Sequence, residues 1–510
     1  VDTPTAPVDN TSMTWDKDNV LHRTVRIRKD PPNVPLAQAS EPPHYLQHIR
    51  IRALVAGHGT TPYIIPKRVA AIATLADQSV LELNKVFTAW DPAVLSLLQV
   101  SEAEQSRTLR KIFSLPKDAT ISVQTFETHT VEEVWLTPTI EAGAVAGNHV
   151  LRRCFFIGSG LQTNQVYDFH AYTAPHPQSQ AATHVLTKAT PAVTDLDHFQ
   201  MTPELFQQLH DTFAGPPHEM LQKIAQTLSE SVTHIVGRTD LHVAVDLVYH
   251  SPLSFYFDGT EVRKGWLECL IMGDTRTGKG FVTENLARHY GLGEVISGES
   301  LTYAGLVAGV QRVGDRWTLI WGKLPINDRR LVVIDEASAL STGDIGKISR
   351  IRSEGTVETT KIITERTTAR TRLIWLSNPR GSSGTTPRMI RDYAFGIEAA
   401  AELVGTAEDL ARFDYVLIVS QNEVAAERIN QASHPKDPPP ANPYTSELCQ
   451  SLILWAWSRT KDQIQFTPEA VSLVYKAAQA LGGMFTPRIC LIQAEDVRFK
   501  VARLAAAIAA

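Results

Sequence analysis

The chain has 510 residues, of which 43% are hydrophobic and 20% charged, and its formal net charge is −5 at pH 7. This length accommodates about three domains, and the composition is that of a globular protein with a large core, not of a disordered chain. The charge gives no sign of a nucleic-acid partner, although a ring protein can combine an acidic exterior with a basic channel. No long apolar run is present, so no membrane-spanning helix is expected.

The four cysteines are scattered along the chain, without the C-x-x-C spacing of a metal site or redox motif; they are Cys154, Cys269, Cys449 and Cys490. This spacing predicts neither a disulfide framework nor a cysteine zinc site. Free cysteines of this kind favour a reducing, cytoplasmic compartment.

The first 200 residues divide into four segments by pattern. Residues 1–43 are polar, with two Pro-Pro pairs, and are predicted to form a mobile arm. Residues 44–116 have apolar side chains at three- and four-residue spacing, which predicts a helical block. Residues 117–190 alternate apolar and polar side chains, which predicts a small β-barrel resembling an oligonucleotide-binding (OB) fold. Residues 191–200 are predicted to be a linker.

The β-rich segment contains a basic and aromatic group, formed by Arg152, Arg153, Phe155 and Phe156. Such residues can contact a nucleic-acid strand by charge and by stacking on bases. The alternative is that the phenylalanines are core residues, and this is the favoured interpretation.

From residue 201 to about 435, helical patterns alternate with apolar strands, which is typical of an α/β fold with a parallel sheet. Strands are predicted within residues 266–273, 329–336, 371–378 and 414–420, and Thr202 is predicted to be the N-cap of the first helix. After a Pro-rich break, residues 436–510 are predicted to be helical.

The segment 266–291 has the order strand, glycine loop, helix that characterises a phosphate-binding loop. Backbone N–H groups at the helix start point at phosphate oxygens, and the lysine grips the β and γ phosphates. The predicted nucleotide-binding residues are Gly273, Asp274, Thr275, Arg276, Thr277, Gly278, Lys279, Gly280 and Phe281. Gly280 replaces the usual Ser or Thr ligand of Mg²⁺, and Thr283 is a poor substitute.

Acidic and polar residues follow the next apolar strands. Asp335 is predicted to hold Mg²⁺, directly or through water, and Glu336 to polarise the attacking water. Asn378 at the tip of a later strand can hold that water near the γ-phosphate. Arg412, just before the last strand, is placed to reach the nucleotide of a neighbouring subunit as an arginine finger.

These motifs resemble those of the minichromosome maintenance (MCM) helicases, a branch of the AAA+ ATPases. The resemblance covers roughly 201–510 and rests on GDTRTGKG at 273–280, GKLPINDRRLVVIDE at 322–336, SNP at 377–379 and RFD at 412–414. It implies an AAA+ core over 201–435 with a helical lid over 436–510. The family's zinc-binding cysteine module is missing from the N-terminal half.

The resemblance also implies residues that contact DNA. EGTVETTK at 354–361 resembles the family's hairpin before the sensor strand, which places Lys361 in a central channel. Residues 300–322 resemble the insert within helix 2, a second pore hairpin whose tip is flanked by Arg312 and Arg316. The last helix resembles the one that carries the second sensor arginine, for which Arg498 is the first choice and Arg488 the competitor.

The function implied is an ATP-dependent DNA helicase that unwinds duplexes in replication. It would act as a homo-oligomeric ring, expected to be a hexamer, on single-stranded or forked DNA, with ATP and Mg²⁺ and without zinc. A bacterial, phage or mobile-element origin is favoured over a nuclear one. Two alternatives stay open: a MoxR-like AAA+ remodeller of protein partners, and a DNA-binding assembly factor with weak hydrolysis, for which Gly280 is the argument.

Overall fold

The structure is a computed structural model that describes residues 11–15, 21–25, 30–87, 102–139, 150–175, 181–313, 316–360, 364–380, 388–421, 423–424, 442–484, 491–492 and 496–510. Up to residue 200 the elements are β1 (Thr11–Trp15), β2 (Leu21–Val25), β3 (Ile49–Gly59), β4 (Tyr63–Thr74), β5 (Val80–Val86), α1 (Glu102–Ile112), β6 (Thr120–Pro138), β7 (Arg152–Ile157), β8 (Val166–Pro175), β9 (Ala182–Pro191) and α2 (Asp195–His198).

The next elements are α3 (Pro203–Phe213), α4 (Pro217–Leu228), α5 (Thr239–Tyr249), β10 (Phe255–Phe257), β11 (Thr260–Val262), β12 (Glu268–Gly273), α6 (Lys279–Tyr290), β13 (Glu294–Ser297), α7 (Tyr303–Leu306), β14 (Ala308–Val313), β15 (Arg316–Trp321) and α8 (Lys323–Ile326). The last are β16 (Leu331–Asp335), α9 (Thr342–Lys347), α10 (Ser349–Glu354), β17 (Thr356–Thr360), β18 (Thr364–Thr368), β19 (Arg372–Ser377), α11 (Ile397–Val404), α12 (Ala407–Ala411), β20 (Tyr415–Val419), α13 (Ser446–Ser458), α14 (Pro468–Met484) and α15 (Val497–Ala509).

The chain forms two compact units. The first, here called the barrel unit, comprises 1–139, 148–193 and 310–320. The second, the sheet unit, comprises 140–147, 194–309 and 321–510. No described helix has the length and apolar character needed to cross a bilayer.

The barrel unit contains a closed five-stranded barrel. Strand β3 pairs with β6, β6 with β7, β7 with β9, β9 with β8, and β8 returns to β3, so that the sheet closes on itself. All of these pairs are antiparallel except β7 with β9. This connectivity is that of the five-stranded Greek-key barrel of the OB fold. A barrel was predicted, but its first strand lies upstream of the predicted segment.

The helical block predicted over 44–116 is wrong for 49–86, where β3, β4 and β5 lie. Alternate residues of β3, namely Ile49, Ile51, Ala53 and Val55, are fully buried in the barrel core, which is the period-two pattern of a strand. The pairing partners β6 and β8 are distant in sequence, and such tertiary context overrides local spacing. Residues 88–101 lie outside the described residues, and the helical prediction is confirmed at α1, Glu102–Ile112.

The mobile arm predicted over 1–43 is wrong for the part that the structure describes from residue 30 onward. Val34 and Leu36 are buried in the barrel core, and the Val34 N–H donates to the Arg50 carbonyl at 2.8 Å. Strands β1 and β2 form an antiparallel hairpin. Burial of these apolar side chains offsets the ordering cost that a polar arm could not meet.

The phenylalanines of β7 are core residues, as favoured. Phe156 packs in the barrel core, whereas Phe155 faces a second core formed with β4 and α1. Arg153 lies over the Phe155 ring, and its Nε donates to buried Glu133 at 2.6 Å. The proposed stacking of bases on these two rings is therefore ruled out by their burial.

The sheet unit is built on a five-stranded parallel sheet in the order β13, β16, β19, β12, β20. The four strands predicted from the sequence are β12, β16, β19 and β20, and all four are confirmed. Helix α3 begins where predicted, because the Thr202 hydroxyl accepts from the Leu205 N–H. The carboxyl ends of parallel strands meet at one edge, so residues that follow β12, β16 and β19 lie close together.

The last described segments are helical, as predicted. Helix α13 packs into the main core of the sheet unit through Ile453 and Trp457. Helices α14 and α15 pack on each other and on β10 and β11. The segment predicted to be a linker contains the boundary between the two units, after Val193, and the short helix α2. In α2, Leu196 is buried in the main core, and Asp195 and Asp197 pair with Arg330 and Arg329.

Candidate active site

The phosphate-binding loop connects β12 to α6, as the sequence predicts. A side chain at Gly273 would bring its Cβ to 2.2 Å from the Val419 carbonyl of neighbouring β20, so only glycine fits there. Gly278 caps α6 with a φ of 88°, and Arg276 has a φ of 62°. These left-handed residues turn the loop into the helix start, where backbone N–H groups can receive an anion.

Asp274 holds the loop from behind. Its side chain is buried, and its two oxygens accept from the backbone N–H groups of Ile390 at 2.8 Å and Gln421 at 2.9 Å. The Thr277 hydroxyl donates to the Asp274 carbonyl at 2.8 Å. The sequence predicts that Asp274 binds nucleotide. In the structure both oxygens of its carboxylate instead bind backbone N–H groups of neighbouring segments, which fixes the position of the loop.

Lys279 lies at the centre of the site and is 8% exposed. Its Nζ donates to the carbonyls of Gly273 at 2.8 Å and Asp274 at 2.6 Å, and to Asn378 Oδ1 at 3.1 Å. Burial lowers the pKa of Lys279 to about 8. The loop lysine and the amide at the tip of β19, predicted separately, are therefore in direct contact.

Asp335 ends β16 and faces the start of α6. A Cβ placed on Gly280 would lie 3.4 Å from Asp335 Oδ2, so this carboxylate stands against the position that lacks a side chain. Burial raises the pKa of Asp335, although the Glu336 N–H donates to its Oδ1 at 2.8 Å. A nearby positive charge favours the charged form of the carboxylate, and a divalent cation would supply that charge.

Glu336 adopts a left-handed conformation, with a φ of 52°, which is uncommon outside glycine. Its Oε2 accepts from the Ser297 hydroxyl at the end of β13, at 3.0 Å. The strained turn directs consecutive carboxylates of Asp335 and Glu336 to different partners.

The residues present fit a magnesium ion held with few protein ligands. Mg²⁺ prefers oxygen ligands and commonly keeps several waters while binding one or two carboxylates and substrate phosphates. Asp335 supplies a carboxylate of this kind, beside the open space at Gly280. The Thr283 hydroxyl is buried and donates to the Lys279 carbonyl at 2.9 Å, so it does not replace the missing Ser or Thr. Among the described residues, no group of three metal-ligating side chains is found.

Segments that the sequence did not single out also line the loop. Gly278 lies against Ile235, and Gln421 Nε2 donates to the Thr275 carbonyl at 3.2 Å. Buried Arg238 pairs with Glu423 and, at 2.7 Å, with Asp240, and its charge further lowers the pKa of Lys279. These contacts join residues far apart in sequence, and no local motif marks them.

Arg412 lies away from these contacts, between α12 and β20. Its Nε donates to the Ser349 hydroxyl at 2.6 Å, and Ser349 in turn donates to Asp409. The Arg412 side chain keeps 26% of its exposure and borders a cleft of about 420 Å³ that Glu408, Asp496 and Arg503 also line.

Of the two arginines considered for the second sensor, Arg488 lies outside the described residues. Arg498 is exposed on α15, with its guanidinium over the Phe499 ring. The structure shows no contact between Arg498 and Lys279, Asp335 or Asn378 in the part of the chain that it describes.

The two predicted hairpins are both formed. Strands β17 and β18 pair from Thr356 with Thr368 to Thr360 with Thr364, directly before β19. Lys361, at the predicted tip, lies outside the described residues. In the second hairpin, Arg316 Nη1 donates to the carbonyls of Thr61 and Pro62, and its guanidinium lies 3.7 Å from the centre of the Tyr63 ring. Arg312 is exposed on β14.

Comparison with known families supports the same assignment. Residues 217–432 match the model of the MCM P-loop domain, which includes β12, Lys279, Asp335, Glu336, Asn378 and Arg412. No curated protein matches the chain. The matched segment spans the phosphate-binding loop and the strand ends that surround it, and an ATPase activity is what such a domain implies. The chain therefore contains an MCM-like AAA+ P-loop domain over residues 217–432.

Proposed function

We propose that this protein is an ATP-driven DNA helicase of the MCM type. The observation that carries the proposal is the convergence of Lys279 with Asn378 and of Asp335 with the start of α6. Strand β19, which ends just before Asn378, directly follows the hairpin of β17 and β18, so the proposed hydrolytic site is joined to that hairpin by a short segment of chain. A motor needs both a site that changes with hydrolysis and an element that moves with it.

In the proposed reaction, the loop N–H groups and Lys279 bind the phosphates of ATP. Lys279 exchanges its present carbonyl partners for phosphate oxygens, and these anions keep it charged. Asp335 would hold Mg²⁺, which neutralises charge on the phosphates. Glu336 accepts a proton from the attacking water, while Asn378 orients that water. Thr275, Arg276, Thr277 and Phe281 complete the proposed nucleotide contacts around the loop.

The assembly proposed is a homo-oligomeric ring, with a hexamer as the expected form. Arg412 is partly buried and borders a cleft, and in the proposal its guanidinium stabilises charge on the nucleotide of the next subunit. The parallel sheet corresponds to the AAA+ core, and α13 to α15 correspond to the helical lid. Arg498 stays the candidate for the second sensor.

The DNA contacts proposed are Lys361 at the tip of the first hairpin and Arg312 on the second. Arg316 was proposed with them, but its guanidinium is already bound by two carbonyls and a tyrosine ring, so we assign it mainly to holding the hairpin. Point charges of this kind contact phosphates and do not read sequence. The OB-like barrel is a further candidate for binding single strands.

Strand displacement on a forked duplex tests the proposal, with Lys361→Ala compared with the parent and with Lys476→Ala, a change of an exposed lysine on α14. We expect Lys361→Ala to lose unwinding and to show a weaker salt dependence of DNA binding, because fewer counterions are released, while basal ATPase activity is kept. Unwinding equal to the parent's would contradict the helicase assignment.

The second candidate is a DNA-binding assembly factor with weak hydrolysis, and Gly280 favours it because the Mg²⁺ site lacks one ligand. A protein that binds DNA but hydrolyses ATP no faster in its presence would support this candidate. ATPase stimulation by a protein partner alone would instead favour a remodeller.

A further inference from the structure

The backbone around Arg412 is held by two lysines, of which Lys500 is buried and Lys264 is 12% exposed. Lys500 of α15 is 4% exposed, and its Nζ donates to the carbonyls of Ala411 at 2.6 Å and Phe413 at 2.7 Å. The Lys264 Nζ donates to the carbonyl of Arg412 itself at 3.2 Å. Three consecutive carbonyls therefore each bind an ammonium group, and this arrangement is here called the lysine clamp.

The residue that follows is fixed as well. Asp414 is buried, and its two oxygens accept from Arg503 Nε at 2.6 Å and from the Glu268 N–H at 2.8 Å. On the side-chain face, Ser349 holds Arg412 Nε. The peptide groups on both sides of Arg412 are thus immobilised, while the guanidinium end is directed to a partly exposed cleft.

Stability alone does not account for this arrangement. Burial of an ammonium group is costly, and a buried charge network is often no more stabilising than apolar side chains of the same volume. Hydrogen bonds from a charged donor do, however, fix the direction of the carbonyls that they bind more strictly than apolar packing does. The clamp therefore determines the orientation of the segment 411–413.

We propose that Lys500 and Lys264 are positioning residues for Arg412, which hold its backbone so that the guanidinium reaches the nucleotide bound by a neighbouring subunit. The inference rests on the trans role of Arg412 in the proposed function. It assigns to α15 a task in the neighbour's active site, through residues that contact neither nucleotide nor Mg²⁺ in their own subunit.

Mixed assemblies of two variants test this proposal. Lys279→Ala lacks its own nucleotide site but keeps an intact Arg412, whereas Lys500→Met keeps its nucleotide site and loses the clamp. We expect Lys500→Met alone to bind a fluorescent ATP analogue as the parent does and to turn over ATP about 10- to 100-fold more slowly, since small displacements of a catalytic group cost this much. Mixed with Lys279→Ala, it should regain activity, because some interfaces then combine an intact site with an intact arginine.

Two reference mixtures separate the possible failures. Arg412→Ala with Lys279→Ala must regain activity for the trans role to hold, and if it does not, both the trans role and the clamp are overturned. If that mixture is active but Lys500→Met with Lys279→Ala is not, the positioning role alone is overturned. A fully active Lys500→Met protein would also overturn it.

Controls guard against loss of folding. Lys476→Met changes an exposed lysine on α14 and should behave as the parent. Thermal unfolding and the mass of the assembly by light scattering show whether each variant folds and assembles. If Lys500→Met does not fold, Lys264→Met takes its place, because it removes only one of the three carbonyl contacts. Lys500→Arg should keep more turnover than Lys500→Met, because arginine retains a charged hydrogen-bond donor.

Discussion

Two regions of the sheet unit each contain a buried lysine whose ammonium group donates to backbone carbonyls, but the two lysines have different proposed roles. In the phosphate-binding loop, buried Lys279 donates to two backbone carbonyls, and in the lysine clamp, buried Lys500 donates to three. Burial lowers the pKa of both lysines to about 8. In isolation the two ammonium groups look alike.

The difference lies in what surrounds them. The partners of Lys279 belong to its own loop and to Asn378, and the loop N–H groups beside them are suited to an anion that can replace these partners. The partners of Lys500 come from two other segments, and Arg503 and Asp414 fix the same region from the next residue. One lysine is placed to change partners during catalysis, and the other to keep them.

The strongest test of this comparison is Lys279→Ala. We expect loss of nucleotide binding, by at least about 100-fold in Kd, because the main positive charge of the loop is removed from a buried site. Titration with a fluorescent ATP analogue measures it, with Lys476→Ala as the matched surface control. Binding as tight as the parent's would show that Lys279 does not exchange partners for phosphate.

Glu336→Gln should separate binding from turnover. The amide keeps the shape and a hydrogen bond to Ser297, but it cannot accept a proton, so we expect turnover to fall about 10²- to 10⁴-fold with nucleotide affinity unchanged. Single-turnover hydrolysis beside an equilibrium binding assay checks both parts. Normal hydrolysis by purified Glu336→Gln would remove Glu336 from its assigned role.

Gly280→Ser should be tolerated and should lower the Mg²⁺ concentration for half-maximal ATPase activity. The added Cβ lies 3.4 Å from Asp335 Oδ2, a close but acceptable contact, and places a hydroxyl beside the carboxylate. Gly280→Thr adds a methyl group in the same space and should be less well tolerated. An Mg²⁺ titration with an unchanged midpoint would mean that another group, such as water, already fills this position.

The smallest effect concerns the pH dependence of stability. Lys500 has a lowered pKa through burial, with Arg503 and Lys264 acting in the same direction and Asp414 and Asp496 against it. Below pH 8 Lys500 is charged in both the folded and the unfolded protein, and burying this charge lowers the stability of the folded state. Between pH 8 and 10.5 the unfolded protein binds more protons at Lys500 than the folded protein does, so the free energy of unfolding rises with pH. We expect the free energy of unfolding of the parent to rise relative to Lys500→Met, by up to about 3 kcal/mol. Urea unfolding from pH 7 to 10 measures this difference, and parallel curves would contradict it.

The sequence was sufficient for the parts of the site that lie in continuous motifs. The loop from Gly273 to Gly280, the acidic end of β16 and the amide after β19 each follow a short apolar strand, and the sheet brings them together as parallel topology requires. Thr202 was also identified as an N-cap from its local pattern alone.

The parts that the sequence did not reveal depend on pairing between distant residues. Strand β3 pairs with β6 and β8, which are distant in sequence, and the prediction of one helical block over 44–116 did not take this pairing into account. Lys264 and Lys500 have no recognisable motif, and only the fold brings them to the carbonyls around Arg412. Val34 and Leu36 are buried because they pack against the core residues of the barrel, which come from distant parts of the sequence.

The central claim, that hydrolysis at this site drives movement on DNA, is tested most directly by the ATPase rate of the parent protein with and without single-stranded DNA. The account predicts a several-fold stimulation by an oligonucleotide, weakened as salt is raised and reduced in Lys361→Ala. An ATPase rate that DNA does not change, in protein that binds the same oligonucleotide, would contradict it.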